Sequence, residues 1–311
     1  MEVNMNWKKL GFIYCASGEN ELKMSYGRTP AAIHLKDNNF RIFYGTCDAQ
    51  KRSSIFYMDV TIDEKVNILY NADKPVLKFP SMLGTYDDNG LAPSCALIYD
   101  NKLYLYLIGF SIKNKFTFDT SGGVAISEDM GLTFKKFSGP FLTWSIYDPI
   151  FASSPWVLHH NGIWHLWYVS GERWEEKGNA RRHYYNIKHK ISEDGISFTS
   201  VPTVSIDFAN EYEYALARPS VIFEDNIFKM WYCFRAQKNI QTYRMGYAES
   251  KDGEKWKRMD EEMKSFDVSK EGWDSEMVCY PYMFKWNNTL YMLYNGNHFG
   301  ESGFGLAVLK K

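Results

Sequence analysis

Two carboxylates stand at the same offset from a proline in this 311-residue chain. Asp88 and Glu276 each lie five residues before a proline, Pro93 and Pro281 respectively. Two carboxyl groups can serve as acid and as base or nucleophile on opposite sides of a scissile bond, as in the cleavage of a glycosidic linkage. We predict Glu276 as the general acid and Asp88 as the base or nucleophile. The alternative is that both belong to ordinary polar turns.

Arginines recur beside the same prolines and after the strands that follow them. Arg28 and Arg218 lie at the start of predicted strands, and Arg173 and Arg235 lie at the end of others. A guanidinium group binds carboxylate or phosphate through parallel hydrogen bonds, so arginines that converge on one pocket predict an anionic ligand. The alternative is that each arginine pairs with a neighbouring acid and joins adjacent strands. The acids near them along the sequence include Glu172, Glu211 and Glu213.

Two further side chains are predicted to contact the ligand. His298 lies in the glycine-rich segment YNGNHFGESG, where backbone can approach a ligand closely, and Tyr280 directly precedes Pro281. His183 and His189 belong to a long insertion that is interpreted as a lid or, alternatively, as a solvated charged loop. No His and Cys spacing typical of zinc sites occurs, and no phosphate-binding glycine loop precedes a helix. We therefore expect neither a metal nor a cofactor.

The elements that must position these residues recur with a fixed period. Each proline is predicted to open a strand, which is followed by a polar turn and a second, aromatic-rich strand such as FRIFYGT or IWHLWYVSG. The prolines are 62 to 64 residues apart: Pro30, Pro93, Pro155, Pro219 and Pro281. Five copies of a unit built from short strands predict an all-β fold, a five-bladed β-propeller in a single domain over residues 1–311.

Two local patterns complete this architecture. The last repeat supplies three strands, and the segment LGFIYC at residues 10 to 15 is predicted to be the fourth strand that closes the last blade. The middle repeats contain the turns SEDMGLTF, SEDGISF and SKDGEKW, which begin at Ser127, Ser192 and Ser250. Asp and Gly set a tight turn and Ser bonds the local backbone, so these turns are predicted to be structural.

Composition narrows the classes of partner and compartment. The formal net charge is −1 and no basic block occurs, which argues against nucleic acid as a partner. The N-terminal segment MEVNMNWKKLGFIYCASG has no apolar core long enough for a signal peptide or a membrane span, and no membrane span is predicted. Five scattered cysteines, an odd number, predict reduced thiols and a cytoplasmic location.

With these repeats and turns, the chain resembles the five-bladed propeller glycosidases: glycoside hydrolase family 43, the invertases and the mannoside phosphorylases. The resemblance covers nearly the whole chain and is architectural. It implies catalytic carboxylates in Asp-Pro or Glu-Pro pairs at the mouth of the inner strands. None of the five residues that precede the prolines here is acidic: Thr29, Ala92, Ser154, Arg218 and Tyr280. The catalytic motif of the family therefore does not carry over.

Three functions remain open from the sequence. The favoured one is a glycosidase-like enzyme that hydrolyses or transfers an acidic or phosphorylated sugar, in the metabolism of a bacterial surface polysaccharide. The second is a glycan-binding propeller without catalytic acids, which the loss of every acid-Pro pair favours. The third is a phosphorylase, in which arginines hold inorganic phosphate as the attacking group.

Overall fold

A computed structural model describes residues 5–113, 119–177, 180–236 and 242–310. In these ranges the regular secondary structure is almost entirely β-strand, and strands that follow one another along the chain pair in antiparallel groups, here called sheets I to V. Single parallel bridges, Ser121 with Ala152 and Tyr185 with Ala215, join the second, third and fourth groups into one twelve-stranded sheet. Sheet I contains β2 (Ser25–Lys36), β3 (Asn39–Cys47), β4 (Ser53–Ile62) and β5 (Val66–Asn71). Sheet II contains β6 (Leu91–Tyr99), β7 (Lys102–Ser111), β8 (Asp119–Ser127) and β9 (Lys135–Lys136).

The remaining sheets follow the same order along the chain. Sheet III contains β10 (Ala152–His160), β11 (Ile163–Lys177), β12 (Ala180–Ser192) and β13 (Thr203–Ile206). Sheet IV contains β14 (Glu213–Glu224), β15 (Ile227–Ala236), β16 (Arg244–Ser250) and β17 (Trp256–Arg258). Sheet V contains β18 (Cys279–Trp286), β19 (Thr289–Asn295) and β20 (Phe304–Leu309). The helical elements described are a 3-10 turn, Asp260–Met263, and a short turn, Asn297–Gly300.

A strand from the beginning of the chain joins sheet V. β1 (Trp7–Tyr14) pairs with β20 in antiparallel register, with Trp7 opposite Leu309 and Tyr14 opposite Phe304. Lys9 of β1 also forms an ion pair of 2.7 Å with the buried carboxylate of Asp274, which accepts a hydrogen bond from Tyr294 of β19. Sheet V therefore has four strands, one of which comes from the opposite end of the chain.

The first strands of the sheets, which we call the inner strands, pack against one another in succession. β2 contacts β6, β6 contacts β10, β10 contacts β14, β14 contacts β18, and β18 contacts β2. A tyrosine in the second strand of each sheet is fully buried: Tyr44, Tyr106, Tyr168, Tyr232 and Tyr294. Large aromatic side chains thus fill the space between the sheets.

The sequence predicted that each recurring proline opens an inner strand. The prolines instead lie inside these strands, at shifts in the pairing register. Four of the preceding residues have positive φ: Thr29 (48°), Ser154 (52°), Arg218 (53°) and Tyr280 (58°). The pairing of each of these strands with its neighbour skips residues at the same place. Proline lacks an N–H and is tolerated at a β-bulge, so the proline marks a bulge and the strand continues through it.

The turns at Ser127, Ser192 and Ser250 are structural, as predicted. In each turn the aspartate accepts backbone N–H bonds from the residues that follow it, and the serine hydroxyl accepts from the glycine N–H. Each turn also contacts the second strand of the preceding sheet. Tyr106 donates to the Gly195 carbonyl and Trp167 donates to the Gly253 carbonyl, both at 2.9 Å. At Gly131 a Cβ atom would lie 2.3 Å from the Phe43 ring, so this close approach needs glycine.

Candidate functional site

A cavity of about 460 Å³ lies where the bulged parts of the inner strands meet. Its volume is in the range of small-molecule sites, roughly 300–1,000 Å³. Every sheet contributes to its lining. The polar, charged and aromatic side chains of the lining include Tyr26, Arg28, Thr29, Phe110, Ser153, His183, Arg218, Arg235, Tyr243, Tyr280, His298 and Phe299.

Arg218 reaches across the molecule from sheet IV to sheets I and II. Its side chain is buried, and its Nη1 donates to the Pro93 carbonyl at 3.3 Å. Its Nη2 donates to the carbonyls of Pro30, at 3.2 Å, and Thr29, at 3.4 Å. Burial lowers the pKa of the Arg218 guanidinium to about 10, so the group still carries its charge at neutral pH.

Two further arginines line the cavity beside aromatic rings. The guanidinium carbon of Arg28 lies 4.1 Å from the centroid of the Tyr26 ring and 5.7 Å from that of Phe110. That of Arg235 lies 5.5 Å from the Tyr243 ring centroid and 5.8 Å from the Phe299 ring centroid. Ring faces contact both guanidinium groups, and a guanidinium bonds an anion through the N–H groups at its edge.

The electrostatic character of the cavity is positive. It has three arginines in its lining and, among the described residues, no aspartate or glutamate. Within the same ranges, neither Arg28 nor Arg218 forms an ion pair with a carboxylate. A buried charge without a counter-ion is costly, so this arrangement favours an anionic ligand.

His298 and Glu276 meet at the mouth of the cavity. The His298 Nε2 and the Glu276 Oε2 are 3.4 Å apart, and both side chains are more than half exposed. His298 and Phe299 have positive φ, 53° and 61°, so the backbone turns in the left-handed sense at this point. Asn297 fixes the turn, because its Oδ1 accepts hydrogen bonds from the backbone N–H groups of Glu276 and Met277. Glu276 therefore lies beside a lining residue but does not itself line the cavity.

Asp88 and Arg173 do not line the cavity, contrary to the roles predicted for them. Asp88 accepts a hydrogen bond of 2.8 Å from the Gly84 N–H, within its own turn. Arg173 is half exposed, pairs with Glu175 at 3.0 Å and stacks over the Tyr184 ring. Both residues thus follow the structural alternatives that the sequence left open, a capped turn and a local ion pair.

Other acids near the inner strands are held in buried ion pairs. Glu213 pairs with Arg258, which donates to both carboxylate oxygens. The other pairs are Asp87 with Lys136, at 2.7 Å, and Asp148 with Lys188, at 3.8 Å. These carboxylates neutralise cations of the scaffold and are therefore poor candidates for acid–base chemistry.

The segment predicted to be a lid contains two long, paired strands. β11 and β12 extend beyond the other second and third strands, and Gly178 and Asn179 lie outside the described residues. His183 of this hairpin lines the cavity and stacks on Tyr185, at 5.0 Å between ring centroids. Burial and the nearby Arg235 lower the pKa of His183 to about 4, so its imidazole is neutral at pH 7. His189, on β12, does not line the cavity, and its Nε2 lies 3.0 Å from the Nδ1 of His165 on the neighbouring strand β11.

Several lining residues were not predicted from the sequence. The polar ones, Thr29 and Ser153, lie within two residues of a recurring proline, and that position was the available signal. The aromatic ones, such as Tyr26, Phe110 and Tyr243, carry no comparable signal in a chain with 17% aromatic residues. Arg28, Arg218, Arg235, Tyr280 and His298 were predicted from the sequence and do line the cavity.

The described residues contain neither a group of metal-ligating side chains nor a helix that could span a membrane. In the ranges that the structure describes, no three His, Cys, Asp or Glu side chains are grouped as metal ligands would be. The helical turns in those ranges are too short and too polar to cross a bilayer. All five cysteines are free thiols.

Sequence comparison finds two close relatives, both described as uncharacterized proteins. They are MT1551 of Mycobacterium tuberculosis strain CDC 1551 / Oshkosh and Rv1502 of strain ATCC 25618 / H37Rv. Each is 33% identical to this chain over 307 residues, which covers 98% of this chain and 100% of the relative. No family model matches the chain.

Structure comparison finds glycoside hydrolases. A putative glycoside hydrolase from Parabacteroides distasonis superposes with a TM-score of 0.69 at 15% identity, covering 99% of this chain and 97% of that one. A thermostable family-43 glycoside hydrolase gives 0.64 at 13% identity, covering 94% and 90%. The sucrose-6-phosphate hydrolase of Lactobacillus gasseri gives 0.60 at 12% identity, covering 94% and 61%. At these identities the likeness establishes the propeller fold of glycosidases and leaves the activity open.

Proposed function

The chain belongs to the family of the mycobacterial proteins MT1551 and Rv1502, and we propose that it uses a glycosidase-type propeller to bind an acidic or phosphorylated sugar in its cavity. One observation carries this proposal. Three arginines line the cavity, and no carboxylate among the described residues lines it with them. A neutral sugar would leave the charges of Arg28 and Arg218 uncompensated, whereas an anionic sugar would pair with them.

The proposed architecture is a single domain of five blades, closed by the pairing of β1 with β20. Its support is the succession of contacts between the inner strands, which leads from β2 through β6, β10 and β14 to β18 and back to β2. In such an arrangement the axis is surrounded by inner strands, and the cavity lies on the axis.

Binding of defined sugars by isothermal titration calorimetry tests the proposal. The probes are glucuronate, N-acetylneuraminate and glucose 6-phosphate, with glucose and N-acetylglucosamine as neutral controls. We expect the protein to bind at least one anionic probe and neither neutral sugar. Arg28→Gln should weaken that binding about 10- to 100-fold, the loss expected for a charge-assisted hydrogen bond.

The matched control is Arg173→Gln. This arginine also lies on a β-strand, β11, but it pairs with Glu175 outside the cavity, so its loss should leave the affinity unchanged. Equal affinity for neutral and anionic sugars, or equal binding by the Arg28→Gln and Arg173→Gln variants, would contradict the proposal.

A catalytic role for the same cavity is the second candidate, favoured by the contact between Glu276 and His298 at its mouth. In this scheme Glu276 protonates the leaving oxygen, and His298 supports its carboxyl group. The second carboxylate of a glycosidase pair has no counterpart in the described lining. The attacking group would then be inorganic phosphate held by the arginines, as in a phosphorylase, or a water molecule.

A turnover screen separates catalysis from binding. Acidic-sugar glycosides would be incubated with the protein, with and without phosphate, and the products identified by mass spectrometry. Product that requires phosphate and disappears with Glu276→Gln would support the phosphorylase mechanism. Binding without product in every mixture would support a non-catalytic glycan-binding protein.

A further inference from the structure

The inner end of the cavity is closed by side chains that cross the axis. Arg218 of β14 bonds to carbonyls of β2 and β6, which belong to sheets I and II. One layer further in, the Tyr282 hydroxyl of β18 donates to the Ala32 carbonyl at 2.9 Å and to the Ala96 carbonyl at 3.3 Å. Arg218 belongs to sheet IV and Tyr282 to sheet V, and both bond to carbonyls of sheets I and II. They form a floor that a ligand cannot pass.

The cavity is also enclosed on its sides. Its lining includes residues from the inner strands of sheets I, III, IV and V and from β7 and β8 of sheet II. The long hairpin of β11 and β12 adds His183 to one wall, and the left-handed turn at His298 and Phe299 adds another. A groove for a polymer needs two open ends, whereas the described lining residues come from all five sheets and surround the cavity above its floor.

Four lining residues carry a buried polar atom without a hydrogen-bond partner among the described residues. The Arg218 Nε, the Ser153 Oγ, the Thr29 Oγ1 and the Arg28 Nε are buried and have no hydrogen-bond partner among the described residues. The side chains of Arg218, Ser153 and Thr29 are 1%, 2% and 4% exposed. Buried polar atoms in folded proteins are normally bonded, so a set of orphans in one cavity indicates the groups of a ligand. Two N–H donors and two hydroxyls match an anionic group that carries or adjoins hydroxyls.

We propose that the cavity takes the terminal residue of an acidic glycan, with the anionic group innermost, against Arg218 and Ser153. This inference rests on the proposed function and adds to it the position of the acidic residue in its chain. The floor closes the inner end of the cavity, and the orphaned donors lie among the buried residues. The ring of Phe299, which is 40% exposed, lies beside Arg235 nearer the opening, where it can pack on the sugar ring. An internal residue of a polymer would need a second opening for the chain to leave.

A glycan array tests the inference. The array carries uronic, sialic and phosphorylated residues, each presented once at the end of an oligosaccharide and once in its interior. We expect signal only from glycans whose acidic residue is terminal. Binding of interior acidic residues at comparable strength would overturn this inference and leave the proposed function intact. If no acidic glycan binds, the proposed function fails and the inference fails with it.

Two substitutions locate the anionic group. Ser153→Ala removes one orphaned hydroxyl and should weaken binding of the terminal acidic glycan about 3- to 10-fold, the range expected for one neutral hydrogen bond. Arg218→Met should abolish binding; because Arg218 also bonds three carbonyls, its variant is interpreted only if its melting curve remains cooperative. The control is Ser54→Ala, since the Ser54 hydroxyl is equally buried and unpartnered but does not line the cavity. Equal affinity of the Ser153→Ala and Ser54→Ala proteins would overturn the proposed orientation.

Discussion

At the scale of single residues, the charge balance of the cavity follows from where each ionisable group is paired. Acids near the inner strands form ion pairs with lysines or with Arg258. In the cavity lining, Arg28 contacts aromatic rings and Arg218 bonds to backbone carbonyls. The position of an ionisable residue in the sequence did not predict which partner it has in the structure. Asp88 and Glu276 have the same offset from a proline, yet one caps a turn at Gly84 and the other contacts His298.

A buried pair of histidines predicts that acid destabilises the protein between pH 6.5 and 5. Burial lowers the pKa of His165 to about 4, and burial together with the His165 imidazole lowers that of His189 to about 3. Both groups are neutral in the folded state and take up protons near pH 6.5 when unfolded, so their contribution is complete above that pH and is lost below it. We expect the free energy of unfolding to fall by about 2 kcal/mol for one such histidine by pH 5.

Urea titrations at pH 7.5 and pH 5 measure this dependence. His189→Gln should reduce the loss, whereas His34→Gln should not, because His34 is exposed. His165 and His183, whose pKa values are both lowered to about 4, account for the loss that remains in the His189→Gln variant. A stability that is flat over this range would show that the pair is not held neutral.

At the scale of elements, the bulges of the inner strands decide which side chains reach the cavity. Thr29, Ser154, Arg218 and Tyr280 all precede a proline, have positive φ and line the cavity. The repeat of prolines therefore predicted the strands and marked these four positions of the cavity lining. It did not predict the bulge, because the residue before proline usually has an extended conformation and positive φ is unusual for residues with a Cβ.

Substitutions at Ser154 test the strain in these bulges. We expect Ser154→Val to lower the free energy of unfolding by about 1–3 kcal/mol, because a β-branched side chain is disfavoured at φ 52°. Ser154→Gly should be within about 1 kcal/mol of the natural protein, since glycine accepts this φ but has more freedom when unfolded. Ser154→Ala reports the loss of the hydroxyl alone. If the valine and alanine variants are equally stable by urea unfolding, the positive φ is not a constraint at this position.

At the scale of the whole molecule, the arrangement depends on contacts between distant parts of the chain. Trp7 of β1 is buried and packs its ring edge to face against Trp231 of sheet IV, at 6.5 Å between centroids. Periodicity in the sequence predicted the strands of the last repeat and a partner for them near residue 10. It carried no information on the floor of the cavity, because Arg218 and Tyr282 bond to carbonyls that lie 125 to 250 residues away along the chain.

Removing β1 should destabilise the entire molecule. A deletion of residues 1–14 exposes the edge of β20 and removes the buried side chains of Trp7, Ile13 and Tyr14. Burial of each such side chain contributes roughly 1.5–3 kcal/mol, so the total is comparable to the stability of a typical domain, about 5–15 kcal/mol. We expect the truncated protein to aggregate or to melt without a cooperative transition.

Circular dichroism melting and light scattering measure this outcome. The control is a deletion of residues 1–4 only, which keeps β1 and should melt like the full chain. A synthetic peptide of residues 5–16, added to the longer deletion, should restore part of the lost transition. A soluble, cooperatively melting protein without residues 1–14 would show that β1 is dispensable.

The pairing of β1 with β20 also determines how the molecule responds to mechanical tension. Trp7 lies opposite Leu309, and the Lys310 N–H donates to the Asn6 carbonyl, so both ends of the chain leave the ladder on the same side. A pull on the two ends would load the hydrogen bonds of this ladder one after another, as in opening a zipper, instead of all at once in shear. We expect β1 to peel away at low force, and an atomic force microscope would record this step before any other sheet opens.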